Sequence, residues 1–273
     1  MKIPFFKMSG GGNDFIIIDN RNGILNGDDM GGFVRYVCQR NISVGADGLI
    51  LIENSGKVDF KWRYFNADGG EVEMCGNGGR CVSRFAYING IAKERLSFET
   101  KVGVIDAEVM GRRVKLKMPL PHNLKTGFTI SIDGKIHNLS SINTGVPHTI
   151  EVVDNLESVD VVKIGRYIRH HERFEPEGTN ANFMNILDLH NICIRTYERG
   201  VEDETLACGT GSVAGVLIAS IEGKVESPVS VKTKGGDILT IYFKREGLGF
   251  NDLYLEGDTR VVYTGELWEE GYN

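Results

Sequence analysis

The chain has 273 residues, a formal net charge of −6, and 35 glycines against 6 prolines. Its length allows one large domain or two lobes of about 100–150 residues, each with its own core, and the acidic balance argues against nucleic acid or an anionic membrane as partner. No stretch approaches the ~20 apolar residues of a membrane helix, so the expected partner is a small molecule. Glycine stands at nearly twice the usual ~7%, which points to tight turns and close backbone–ligand contacts. Met1-Lys2-Ile3-Pro4-Phe5-Phe6-Lys7 lacks the apolar run of a secretory signal, so a soluble cytoplasmic protein is expected. Its five cysteines, Cys38, Cys75, Cys81, Cys193 and Cys208, are expected to remain thiols in a reducing compartment.

In chain order, Ile3 to Asp19 reads as two short strands around Ser9-Gly10-Gly11-Gly12-Asn13-Asp14, the second being the buried run Phe15-Ile16-Ile17-Ile18. The glycines suit either a plain hairpin turn or a backbone that approaches a ligand and presents Asn13. Asp28 is the expected cap of a helix running to about Arg40, with Phe33, Val34, Val37 and Cys38 on its apolar side. Gly45-Ala46-Asp47-Gly48 leads into the strand Leu49-Ile50-Leu51-Ile52. Val58, Phe60, Trp62 and Tyr64 then alternate with Asp59, Lys61 and Arg63, a strand with one wet face that ends at Asn66-Ala67-Asp68-Gly69-Gly70. From Gly76 to Ile88 the period becomes helical, with Gly90 as stop signal, and strands return at Leu96 to Thr100, Val104 to Val109 and Val114 to Met118.

Pro119-Leu120-Pro121 cannot sit inside a sheet ladder and marks the expected lobe boundary, giving lobes 1–119 and 120–263 with a tail, 264–273, packing back on the first. The second lobe starts with strands near Thr129 to Ile132 and Lys135 to Leu139, then the turn Thr144-Gly145-Val146-Pro147-His148 and the strand Thr149 to Val153. Ser158 is the expected cap of a helix carrying Val161, Val162, Ile164 and Ile168. Phe183 to Leu187 and Ile192 to Tyr197 read as strands, and Cys208 opens a helix that is apolar nearly all round, as expected of one wrapped by a sheet. Val229 to Val231, Ile238 to Phe243, Asp252 to Glu256 and Arg260 to Thr264 complete the strands.

Two stretches are near copies: Met74-Cys75-Gly76-Asn77-Gly78-Gly79-Arg80-Cys81 and Ala207-Cys208-Gly209-Thr210-Gly211-Ser212. Their offset of 133 (208 − 75) also relates Gly12 to Gly145, Gly90 to Gly223 and Thr100-Lys101 to Thr233-Lys234, so the chain is a duplicated unit. A helix N-terminus carries unpaired N–H groups and partial positive charge, which stabilise a thiolate placed there, and the glycines let the backbone close on an anion such as a carboxylate. One such turn alone reads as a structural bend; two in the same register argue for chemistry. No Gly-Lys-Ser/Thr follows for a phosphate loop, no dinucleotide fingerprint is present, and Cys75 and Cys81 are not spaced for a metal site. Cys38 and Cys81 read as structural. Two opposed thiols suit moving a proton from one face of a carbon to the other, one as base and one as acid, while the helix N-termini hold an adjoining carboxylate.

Phe6-Lys7-Met8-Ser9-Gly10 with Gly12-Asn13-Asp14-Phe15, Gly45-Ala46-Asp47-Gly48, Phe65-Asn66-Ala67-Asp68-Gly69, Met74 to Cys81, Gly178-Thr179-Asn180, Arg195 to Gly200 and Glu204 to Gly211 resemble the diaminopimelate epimerase family. The resemblance spans both lobes. It implies an α/β fold of the α+β type, with two pseudo-symmetric lobes, each a curled, mainly antiparallel sheet around a central helix, and the active site between them. It also implies interconversion of LL- and meso-diaminopimelate without pyridoxal phosphate or metal, on the route to lysine and cell wall, by a homodimer. By that resemblance Cys75 and Cys208 are the acid/base pair, Gly76-Asn77 and Gly209-Thr210 hold the α-carboxylate, and Asn13, Asn66, Asn180 and Arg199 grip the remaining polar groups. His148 and Glu198 tune and orient the thiols, Glu198 also touching substrate; without the family, His148 reads equally as a turn histidine and Glu198 as a solvated strand end. Val146 stands where many members carry a substrate-contacting Asn, and Gly48 where some carry a Gln. The competing readings are a racemase of another amino acid, of proline or histidine type, a non-catalytic amino acid binder, and a redox sensor using Cys75 and Cys208.

Overall fold

The computed structural model describes residues 2–26 and 29–272, and among them the apolar runs and alternations become 18 strands and four α-helices. The chain divides into two units, Met1–Leu116 with Gly257–Asn273, and Lys117–Glu256. The first unit holds β1 (Ile3–Gly10), β2 (Asn13–Asp19), α1 (Met30–Val37), β3 (Gly48–Glu53), β4 (Phe60–Asn66), β5 (Glu71–Val72), α2 (Gly76–Ile88), β6 (Arg95–Thr100), β7 (Gly103–Met110) and β8 (Arg113–Lys117). Its strands run β1-β2-β3-β4-β6-β7-β8, antiparallel except for β2–β3 and β4–β6, and β5 adds a short strand to β4.

The second unit holds β9 (His122–Ile132), β10 (Lys135–Asn143), β11 (Pro147–Val152), α3 (Val161–Arg169), β12 (Asn180–Asp188), β13 (Asn191–Glu198), β14 (Asp203–Thr205), α4 (Gly209–Ile221), β15 (Val229–Lys232), β16 (Ile238–Glu246) and β17 (Gly249–Asp258). Its strands run β9-β10-β11-β12-β13-β15-β16-β17, antiparallel except for β11–β12 and β13–β15, and β14 adds to β13. The two orders match pair for pair. The place beside β10 is taken by β9, its predecessor in the chain, whereas the equivalent place beside β1 is taken by the last strand, β18 (Arg260–Leu267).

Each sheet curls because one helix meets several of its strands: α2 packs on β1, β2, β3 and β7, and α4 on β10, β11, β12, β13 and β16. Val82, Phe85 and Ala86 of α2 lie against Phe15, Ile17, Ile50, Trp62 and Phe98. The alternate residues Ile16, Ile18, Leu49 and Leu51 face the other way, onto Val34 and Val37 of α1, which is why β2 and β3 are unbroken apolar runs. In α4 every residue from Gly211 to Ser220 is buried, and at about 1.5–3 kcal/mol for each large apolar side chain removed from water this helix is a main stabiliser of its unit.

The structure adjusts several expected boundaries. Asp28 lies outside the described residues; Asp29 caps α1, accepting from the Gly32 N–H at 2.7 Å. That helix ends at Val37, short of Arg40, whose guanidinium is instead drawn to Asp14 and Asp47 at 2.6 and 2.9 Å. Ser158 closes a single 3₁₀ turn begun at Asn155, and α3 is capped by Asp160, which accepts from the Lys163 N–H at 3.0 Å. β9 begins at His122, before the expected Thr129: pairing with β10 extends the strand through early residues that are mostly exposed and carry no apolar alternation to mark them in the sequence. No helix among the described residues is long and apolar enough to cross a membrane.

Candidate active site

Cys75 and Cys208 are the N-caps of α2 and α4, each in extended conformation, with φ −145° and −121°. Each Sγ accepts from the backbone N–H three residues on, Gly78 and Gly211, at 3.4 Å. This is the bond a serine or aspartate cap makes, here made by a sulfur whose anionic form the helix terminus favours. Cys38 and Cys81 differ: burial pushes both thiols up to about 12, which leaves them protonated and inert.

In the first unit the Asn77 Nδ2 donates to the Asn13 Oδ1 at 2.8 Å and to the Gly11 carbonyl at 3.1 Å, while the Arg80 Nη2 donates to the Asn77 Oδ1 at 2.6 Å. The Asn13 Nδ2 donates to the Asp47 Oδ2 at 3.0 Å. Behind Asp47 stands a charged cluster of Asp14, Arg40 and the buried Lys7, which donates to the Gly45 carbonyl and pairs with Asp14 at 2.8 Å. Burial works against the Asp14 carboxylate, but Arg40 and Lys7 outweigh it and hold its pKa down at about 2. Asn13 and Asn77 are thus locked together, with their amide orientations set by charged neighbours.

Asn66 accepts from the Tyr64 hydroxyl at 2.8 Å. Burial, then the neighbouring Cys75 and Asp47, push the Tyr64 phenol up, so it stays a neutral donor. Gly48 makes room for this ring: a Cβ there would stand 2.6 Å from both the Phe65 carbonyl oxygen and the Tyr64 Cε2. The backbone oxygen cannot yield, so Gly48→Ala is expected to lower stability by about 1–3 kcal/mol through overpacking. A urea midpoint equal to that of the native chain would show that the site accommodates the methyl.

In the second unit His148 is fully buried. Its Nε2 lies 2.9 Å from the Thr210 Oγ1, and its Nδ1 lies 3.2 Å from the Asn182 Nδ2. Burial, helped by the charge of Arg199, lowers its pKa to about 3, so the imidazole is neutral. The Thr210 Oγ1 is also 3.5 Å from the Cys208 Sγ, and its carbonyl accepts from the Thr144 hydroxyl at 2.9 Å. Asn180 ties the first residue of β11 to the residue after β13, donating to the Pro147 carbonyl at 2.9 Å and accepting from the Arg199 N–H at 2.8 Å. The Arg199 Nη1 donates to the Glu177 carbonyl at 2.9 Å. Burial raises the Glu198 carboxyl, with a Thr205 hydrogen bond opposing.

Asp47, Tyr64, Arg80 and Asn182 belong to these constellations and were not singled out from the sequence. Asn182 alone left a signal, a polar side chain at a buried position of an apolar strand; the others depend on which strands pair.

The fold of two duplicated sheets, each curled about one helix, is similar to that of a PhzF-family phenazine biosynthesis protein of Bacillus anthracis, at a TM-score of 0.76, 17% identity, and 98% and 99% of the two chains covered. It is seen again in a hydroxyproline epimerase of Agrobacterium vitis, at 0.72, 13% identity, and 99% and 95% coverage. The fold these likenesses define is a mixed α/β fold with few helices. Within it, the family model for diaminopimelate epimerase matches residues 5–119 and 140–261. The diaminopimelate epimerase of Aquifex aeolicus is 46% identical over 279 residues, covering 98% of this chain and 99% of the relative, and that of Archaeoglobus fulgidus is 47% identical over 280 residues, covering 98% and 97%. The chain belongs to the diaminopimelate epimerase family, a family of isomerases.

Proposed function

We propose that the protein converts LL-2,6-diaminopimelate to meso-diaminopimelate, in the supply of lysine and peptidoglycan precursors, with Cys75 and Cys208 as a two-thiol acid/base pair and no pyridoxal phosphate. The observation that carries this reading is the paired capping geometry: two cysteines in the same register of a repeat, each Sγ facing an N–H at 3.4 Å. One thiolate removes the α-proton and the other thiol delivers a proton to the opposite face, inverting the centre. Negative charge then grows on the α-carboxylate, where the N–H groups of Gly76-Asn77 and Gly209-Thr210 supply fixed partial positive charge without reorganising. Asn13, Asn66, Asn180 and Arg199 take the remaining polar groups, Arg199 being suited to grip a carboxylate by both oxygens. Glu198 and His148 tune and orient the thiols, Glu198 also touching substrate. Val146 removes one substrate contact and leaves the proton chemistry untouched. The enzyme works as a cytoplasmic homodimer.

Incubation with LL-diaminopimelate in heavy water tests the proposal. Deuterium is expected at the α-carbon of the meso product from the first turnovers, with proline, hydroxyproline and histidine unlabelled. Label entering one of those and not diaminopimelate would overturn the substrate assignment.

A further inference from the structure

The two capping cysteines are not equivalent, because the strands behind them differ. His148 lies 133 residues after Phe15 (148 − 15), and the strand registers agree: Phe15 pairs with Gly48 where His148 pairs with Asn180. Two residues further along, Ile50 answers to Asn182. The helix glycines sense the difference. A Cβ on Gly78 would meet the Ile50 Cδ1 at 3.2 Å and the Phe15 Cε1 at 3.5 Å, whereas one on Gly211 would overlap the Asn182 Oδ1. Apolar packing behind Cys75 has been replaced behind Cys208 by a buried amide and a buried imidazole.

The polarity of that polar group follows step by step. The Asn182 Nδ2 lies 3.0 Å from the Thr149 carbonyl and 3.4 Å from that of Asn180, while the Thr196 hydroxyl lies 2.8 Å from the Asn182 Oδ1. Carbonyls only accept, so the nitrogen must face them, and the amide cannot be flipped. The same Nδ2 therefore donates to the His148 Nδ1, which must carry a lone pair. Neutral His148 then bears its proton on Nε2 and donates it to the Thr210 Oγ1. With that oxygen accepting, the Thr210 hydroxyl hydrogen is left to point at the Cys208 Sγ.

We infer that Asn182 is a positioning residue for the reaction: it fixes the tautomer of His148 so that the Thr210 hydroxyl donates to, and stabilises, a thiolate at Cys208. The low His148 pKa, near 3, is consistent with a relay that stays neutral while the thiol changes charge. In the first unit Phe15 and Ile50 occupy the equivalent positions, and the hydroxyl beside Cys75 is that of Tyr64, so the imidazole relay is particular to Cys208. Its catalytic meaning rests on the two-thiol reading, but the hydrogen-bond order does not.

Nitrogen NMR of isotope-labelled histidine, with the His148 signal assigned by its loss in His148→Phe, is expected to show Nε2–H in the native protein. Asn182→Ala is expected to shift that signal toward the Nδ1–H form. Iodoacetamide labelling at neutral pH, resolved by mass spectrometry, is expected to slow about tenfold at Cys208 in Thr210→Val and to stay near native in Thr210→Ser, since a hydrogen bond to a charged group is typically worth that much or more. An Nδ1–H tautomer in the native protein, or unchanged Cys208 labelling in Thr210→Val, would overturn the inference. Absence of diaminopimelate turnover alongside the expected tautomer and labelling would instead sink the proposed function and leave the hydrogen-bond order standing.

Discussion

Cys75→Ser and Cys208→Ser are each expected to cut epimerisation by at least about a thousandfold while leaving the fold and its unfolding midpoint close to native. The structural half of this expectation comes from the caps. Each Sγ accepts one bond from an N–H at 3.4 Å, and serine is among the best residues for that task. A hydroxyl, shorter than the thiol, draws closer to the same N–H without disturbing α2 or α4. The chemical half comes from acidity: a serine hydroxyl is not ionised near neutrality even at a helix terminus, so the variant lacks either the base or the returning acid. General acid–base groups are worth about 10²–10⁴ in rate, and inversion needs both. Steady-state assay with circular dichroism on the same samples checks both halves, and an active serine variant of either cysteine would exclude a two-thiol mechanism. Cys81→Ser serves as the control, because burial holds that thiol up to about 12 and it takes no part in the chemistry.

The repeat was legible in the sequence because both helices carry the same glycine-cysteine signature, and the 133-residue offset maps Gly76–Ile88 directly onto Gly209–Ile221. The double-faced burial of Phe15 to Ile18 and Leu49 to Ile52 was legible as continuous apolar runs. What stayed hidden depends on pairing across long separations. Nothing local says that Arg260–Leu267 should take beside β1 the place that β9 takes beside β10, since an exposed edge strand carries little apolar pattern. The same holds for side chains. That the Asn13 amide meets Asn77, sixty-four residues on, follows from the fold and not from either motif. The Gly48 position shows the limit clearly, since the sequence presents a missing side chain and the structure shows a Tyr64 ring filling the space.

His148→Phe is expected to reshape the dependence of stability on pH. Phe15 shows that the repeat accepts an aromatic ring at this position, so the variant should fold, with a moderate loss at neutral pH as Thr210 loses its imidazole donor. The native His148 pKa is lowered from 6.5 to about 3, by burial first and by Arg199 second. The unfolded chain therefore takes up a proton at this residue as pH falls below about 6.5, and the folded chain does not until about pH 3. Stability from the neutral imidazole is complete above 6.5 and is lost on the way down, at about 1.4 kcal/mol per pH unit. Phenylalanine carries no such penalty, and the carboxylates common to both proteins cancel in the difference. Urea titrations of the two proteins from neutral pH toward pH 4 should thus show the stability gap closing and then reversing in favour of the variant. Parallel curves would mean that His148 titrates normally and that its burial is not what keeps it neutral. Activity of the variant is expected to fall about a hundredfold at a pH where both proteins are fully folded, which separates the loss of the Thr210 hydrogen bond from any loss of structure.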